Sequence, residues 1–214
     1  MSTNVTWQPG RVQRADRHKL VGPGATVWLT GLPASGKSTL AALLEHALLQ
    51  AGRPAYLLDG DNLRHGLNAD LGFGAPGRSE NVRRASHVAR LFADAGLIAL
   101  VSLISPYRAD RTHARELHER DGLPFVEVFV DTPLEVCEQR DPKGLYARAR
   151  RGEIEGFTGV DDPYERPDRP EIVVDTCSEQ PDQAAARVVA TLDVALASAA
   201  EAAQAAGEQG QPAA

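Results

Sequence analysis

Cysteine is scarce in this chain: 214 residues carry only Cys137 and Cys177. Two thiols so far apart, in no metal-ligand spacing, exclude a disulfide framework and a zinc site. Positive charge is also in deficit, with 23 Lys and Arg against 29 Asp and Glu and a net charge of −6. That balance argues against a broad nucleic-acid surface, which needs phosphate-neutralising cations, and leaves room for a local basic pocket that binds a small anion. No apolar run approaches membrane-spanning length, and the N-terminus has no signal-peptide core. Internal repeats and a second domain are missing too. The expectation is one cytoplasmic domain with neither nucleic acid nor membrane as partner.

What the chain does have is Gly31, Leu32, Pro33, Ala34, Ser35, Gly36, Lys37, Ser38 and Thr39 in a row, a fit to G-x-x-x-x-G-K-[ST]. The flanks are those the motif requires. Thr26 to Thr30 is apolar and β-branched, as in a buried strand, while Leu40, Leu43, Leu44, Ala47 and Leu48 recur at helical spacing until Gly52. Glycines let the backbone turn its N–H groups inward, and a helix N-terminus adds partial positive charge at the same point. Lys37 can reach the β- and γ-phosphates of ATP or GTP, and the Ser38 hydroxyl can ligate Mg²⁺.

Further strands are expected at Ala55–Leu58, Leu97–Ile104, Phe125–Val130 and Ile172–Val174. Helices are expected over about Ser79–Ala95, from Ser105-Pro106, from Thr132-Pro133, and over about Asp182–Ala200, with a short turn at Arg14–Leu20. Strands alternating with helices make a P-loop nucleoside triphosphate hydrolase-type α/β fold: a parallel five-stranded sheet flanked by helices. Residues 1–25 form an extension packing on the domain, 26–200 the domain itself, and 201–214 a disordered low-complexity tail. Residues 141–170, basic at first and then irregular, read either as a mobile lid or as a charged surface helix.

Ligands in such sheets collect at the carboxyl ends of the strands. Asp59 and Asp61 follow the second strand, where a carboxylate can orient an acceptor hydroxyl and take its proton, or simply cap the next helix. Asp61 is the preferred base. Arg64 and Arg78 lie beyond in irregular segments and suit an anionic acceptor, whereas Arg83 and Arg84 equally form a solvated helix face. Phe73 stacks on a base or anchors its loop. Ser105 is an N-cap or a phosphate-contacting hydroxyl.

The chain resembles the adenylylsulfate kinases (APS kinases) from Asn4-Val5-Thr6-Trp7 to about Leu196. The resemblance rests on Leu58 to Asn68, Asp70 to Phe73, Ser79 to Arg84, Ile104 to Arg108, Asp141 to Tyr146, and Phe157 to Gly159. It implies transfer of the ATP γ-phosphoryl group, with Mg²⁺, to the 3'-hydroxyl of adenylyl sulfate. It further implies catalytic roles for Asp61, Lys37 and Ser105, the last as a phosphoserine. Acceptor contacts follow for Asp59, Arg64, Phe73, Arg78, Asn81, Ile104, Ser105, Lys143, Leu145 and Phe157, and adenine contacts near Arg140 and Cys177. A homodimer and a stand-alone kinase, without a sulfurylase domain, are implied as well. Gly77 departs from the acidic residue usual before the arginine, and Pro33-Ala34 varies the loop interior. A kinase of another small anionic alcohol, or a non-catalytic nucleotide-binding protein, would share the phosphate loop.

Overall fold

The structure is a computed structural model that describes residues 5–209 except 7 and 9, with only the backbone described for 206–209. Asn4 and Trp7 of the resemblance lie outside it. Five strands form one parallel sheet in the order β2-β3-β1-β4-β5. They are β1 (Ala25–Thr30), β2 (Ala55–Asp59), β3 (Ile98–Ser102), β4 (Phe125–Val130) and β5 (Ile172–Val174).

Strand β1 is the middle strand of the five, and every residue in it is buried. Alternation then sorts its side chains between two layers. Ala25, Val27 and Leu29 meet Leu40, Leu44 and Leu48 of α2 (Lys37–Gln50) and Val188 and Leu192 of α8 (Pro181–Gln209). Trp28 meets Val82, Ala85 and Ala89 of α4 (Ala75–Ala95) and Ala114 of α5 (Arg108–Glu119). Trp28 also stacks on Phe125, with ring centroids 5.8 Å apart. Removing that ring would cost about 3–5 kcal/mol.

The N-terminal α1 (Arg14–Val21) packs on α4 through ion pairs from Arg14 and Arg17 to Asp94. The remaining helices are short: α3 (Gly60–Leu63), α6 (Leu134–Arg140) and α7 (Leu145–Arg150).

Four boundaries differ from expectation. Helix α4 begins at Ala75, because Pro76 sits in its first turn where a missing N–H costs nothing. Strand β3 stops at Ser102, and α5 starts only at Arg108 with Tyr107 as its N-cap, so Ser105 caps no helix. Helix α8 continues to Gln209, since the alanine-rich end that reads as low complexity is also a strong helix former; residues 210–214 lie outside the description. Over Pro181–Ala205 α8 is long and apolar enough, by length and composition, to cross a membrane, contrary to the expectation of no such run. Ala184, Ala185, Val188 and Leu192 of that stretch belong to the core under the sheet.

Candidate functional site

The strand ends open into one cavity of about 1030 Å³. At one end the phosphate loop links β1 to α2. A Cβ at Gly31 would come within 2.5 Å of the Val130 carbonyl oxygen, and Gly36 adopts φ +103°, so both positions require glycine. Gly36 is also the N-cap of α2 and offers no side-chain acceptor, which leaves the first-turn N–H groups for a bound anion. Thr132 and Thr176 donate hydroxyl hydrogen bonds to the Ser35 carbonyl at 2.9 and 3.2 Å. Arg140 in turn reaches the Thr176 hydroxyl and carbonyl, at 2.9 and 3.1 Å, and Cys177 stands next to it on the cavity wall.

Lys37 is buried and folds back onto the loop, donating to the carbonyls of Gly31 (3.0 Å) and Leu32 (2.6 Å) and to Ser35 Oγ (3.3 Å). Burial lowers its pKa from 10.5 to about 8, against the opposing pull of Cys137, Asp59 and Asp61. The ammonium is held ready beside the place where phosphate oxygens would take over its bonds.

Ser38 donates its hydroxyl to Asp59 Oδ2 at 2.7 Å. The other carboxylate oxygen of Asp59 accepts the Asp61 N–H at 3.0 Å and caps α3, so the capping and functional readings of Asp59 hold together. A hydroxyl and a carboxylate beside a phosphate loop are the hard oxygen donors that suit Mg²⁺, which keeps most of its waters. Among the described residues no group of three or more His, Cys, Asp or Glu could hold a metal ion alone. The donor set thus fits a Mg²⁺ that arrives with nucleotide.

On the acceptor side, Asp61 is ion-paired with Lys143, brought over from the segment after α6. Arg64 bonds the Leu71 carbonyl at 2.9 Å and lies 4.2 Å over the exposed ring of Phe73. Its pKa is lowered by burial and by Arg78, and Asp61 opposes the shift. Arg78 is buried, with Nε on the Phe73 carbonyl (2.7 Å) and an Nη on the Gly156 carbonyl (2.8 Å). Two guanidinium groups that repel each other across a cavity make a place for an anion. Asn81 accepts a bond from the buried Asn68 at 2.9 Å.

Ser105 lies at φ +39° and is 2% exposed. Its hydroxyl bonds Thr30 Oγ1 at 2.9 Å and receives the Trp28 indole N–H at 3.2 Å. A hydroxyl engaged on both sides in the core is poorly placed to accept a phosphoryl group, whatever part of Ser105 borders the cavity. The Ile104 carbonyl accepts from Thr30 Oγ1 at 2.7 Å.

The sequence model of the family described as Adenylylsulphate kinase matches residues 23–175. The chain belongs to this family. It is 56% identical to the adenylyl-sulfate kinase of Clostridium acetobutylicum over 176 residues, covering 82% of this chain and 86% of that one. It is 57% identical to that of Saccharomyces cerevisiae over 172 residues, covering 80% and 85%. Among solved structures, the Mycobacterium tuberculosis APS kinase in complex with AMPPNP and APS superposes with a TM-score of 0.78 at 55% identity, covering 80% of this chain and 98% of that one.

Nearly all the residues singled out from sequence for this adenylylsulphate kinase family member border the cavity: Asp59, Asp61, Arg64, Phe73, Arg78, Asn81, Ile104, Ser105, Arg140, Lys143, Leu145 and Cys177, with the loop from Pro33 to Thr39. Phe157 does not. It is buried edge-on against Tyr146, ring centroids 5.0 Å apart, in a small apolar cluster with Cys137 and Ala149. Gly31 and Leu32, at the start of the loop, do not line the cavity. Sequence reading passed over Thr132 and Thr176, whose only signal is their place after β4 and β5, and Tyr146, whose hydroxyl donates to the Pro33 carbonyl at 3.1 Å.

Proposed function

We propose that the chain transfers the γ-phosphoryl group of ATP to the 3'-hydroxyl of adenylyl sulfate, giving 3'-phosphoadenylyl sulfate and ADP. The observation that carries this reading is one cavity with the phosphate loop at one end and the Arg64–Arg78 pair at the other, and Asp61 between them. The donor half alone would serve any kinase. Two convergent arginines select an anionic acceptor, and the adenylyl-sulfate kinases that this chain resembles supply its name.

In the reaction Lys37 leaves the loop carbonyls for the β- and γ-phosphates, and the N–H groups at the start of α2 hold the same oxygens. Asp61 orients the acceptor hydroxyl and receives its proton as the new P–O bond forms, and the bond to the ADP oxygen breaks in line. Arg64 and Arg78 hold the acceptor's sulfate and phosphate, with Phe73 against its adenine; Arg140 and Cys177 border the nucleotide's adenine. Ile104 and Leu145 bound the acceptor from behind, with Phe157 supporting Tyr146 outside the cavity, and Lys143 closes over it. Mg²⁺, held by Ser38 with Asp59 behind it, would neutralise charge on the phosphates. Direct in-line transfer needs no phosphoserine.

Incubation with ATP, Mg²⁺ and adenylyl sulfate should release ADP only when the acceptor is present. No acceptor-dependent ADP would sink the reading, and turnover of a different anionic alcohol in its place would redirect it. The homodimer implied by the family resemblance is part of the proposal, and sedimentation equilibrium tests it. So is a cytoplasmic location, which two free cysteines and a need for ATP support.

A further inference from the structure

Between α7 and β5 the chain makes a tight turn over residues 156–162 that faces Arg78. Its backbone N–H groups are satisfied almost wholly from within. Phe157 carbonyl oxygen accepts the N–H groups of Val160 (3.0 Å), Asp161 (3.2 Å) and Asp162 (3.2 Å), and Gly159 N–H donates to the Asp162 carbonyl at 2.8 Å. One side chain closes the turn from the opposite side. Asp161 accepts the Gly156 N–H on Oδ2 at 2.7 Å and the Phe157 N–H on Oδ1 at 2.6 Å. Both carboxylate oxygens are therefore spent on consecutive N–H groups of its own turn, and Asp161 borders no part of the cavity.

The turn delivers two things. The Gly156 carbonyl receives the Arg78 guanidinium at 2.8 Å, and the Phe157 ring goes under Tyr146. Arg78 is thus strung between the Phe73 carbonyl of one loop and the Gly156 carbonyl of another. Two carbonyls take two of its five N–H groups, and their separation sets which of the remainder face the cavity. Gly156 itself adopts φ +66°, a conformation that costs glycine little. Its carbonyl shares a planar peptide unit with the Phe157 N–H, so the Asp161 bond to that N–H fixes the carbonyl's direction while the bond to the Gly156 N–H fixes the plane before it.

We infer that Asp161 is a positioning residue for the acceptor site: by clamping the N–H groups of Gly156 and Phe157 it aims the Gly156 carbonyl that orients Arg78. The same two bonds keep its carboxyl below the usual range, so the clamp stays charged through neutral pH. This inference rests on the reading of Arg78 as an acceptor contact.

Steady-state kinetics of Asp161→Ala, Asp161→Asn, Arg78→Ala and the Asp161→Ala/Arg78→Ala double variant test it, with thermal unfolding run alongside. Asp161→Ala should raise the KM for adenylyl sulfate by about tenfold and leave the KM for ATP within about twofold. Asp161→Asn keeps one acceptor oxygen and should fall between Asp161→Ala and the unaltered chain; if Asp161→Ala does not fold, it alone must show the same KM split. In the Arg78→Ala background the Asp161→Ala effect should shrink to less than about threefold, because the group it positions is gone. Equal loss toward both substrates, or full additivity with Arg78→Ala, would overturn the inference. An unchanged acceptor KM in Arg78→Ala would instead overturn the reading beneath it.

Discussion

Lys143 and Asp61, 82 positions apart in sequence, form an ion pair at the acceptor end of the cavity. Both side chains are well exposed, at 60% and 65%, so the pair contributes at most about 1 kcal/mol to stability. Its meaning is chemical. Asp61→Asn should leave ATP binding nearly intact and lower turnover by roughly a hundredfold or more, if Asp61 accepts the hydroxyl proton. Unchanged turnover would take the role of base from Asp61. Lys143→Met should raise the acceptor KM and shift the thermal midpoint by less than about 2 °C, as expected of a site contact without a structural duty.

The buried Lys37 makes both stability and nucleotide affinity depend on pH. Its folded pKa of about 8 lies below the 10.5 of the unfolded chain. Between those values the unfolded chain binds more protons, so nucleotide-free stability gains a contribution as pH rises through that window; below it the buried ammonium is charged in both states and its full cost is felt. Triphosphate oxygens favour the charged form. ATP binding should therefore take up a proton at roughly pH 8.5, and affinity should weaken as pH climbs beyond about 8. Calorimetry in two buffers of different ionisation enthalpy reads the proton directly. Absence of uptake, or its persistence in Lys37→Met, would refute the assignment.

Ser105 offers a test between a buried structural hydroxyl and a phosphorylated one. Ser105→Ala strands the Trp28 indole N–H and should cost about 1–2 kcal/mol in urea unfolding while retaining measurable kinase activity. Ser105→Gly should lose less, since glycine tolerates the positive φ. After incubation with labelled ATP, the peptide carrying Ser105 should hold no label; stoichiometric label there would restore the phosphoserine.

Gly77 has a physical reason in this chain. A Cβ at that position would overlap the Gly72 carbonyl oxygen, so the loop bearing Phe73 lies directly on the first turn of α4. Gly77→Ala should push that loop outward, raising the acceptor KM severalfold with little change in the KM for ATP, by separating Phe73 from Arg64. Equal KM values for both substrates before and after would show that the loop tolerates the displacement.

The sheet was legible because each strand is a short apolar run, and the phosphate loop because glycine, lysine and serine spacing is dictated by backbone geometry. Helix starts were less legible. Proline at 76 reads as a breaker until one knows it occupies a first turn, and Ser105-Pro106 reads as a cap although the chain there takes a left-handed residue before α5. In the site, charged residues near strand ends could be gathered by topology. The pairing of Lys143 with Asp61, and the burial of Ser105 Oγ under Trp28, depend on contacts 82 and 77 residues apart and leave no local pattern.

Leu32 and Ala34, the loop-interior residues between the two motif glycines, pack into the apolar cluster built by Tyr146, Ala149 and Phe157. Ala34 also sits at φ +60°, and the neighbouring Pro33 carbonyl carries the Tyr146 hydroxyl. The positions that a nucleotide-binding motif leaves free are thus committed to holding the segment expected to cover the second substrate. Transplanting the loop interior of another kinase would keep every phosphate ligand and still unseat that cover, so the two stretches are expected to vary together rather than singly.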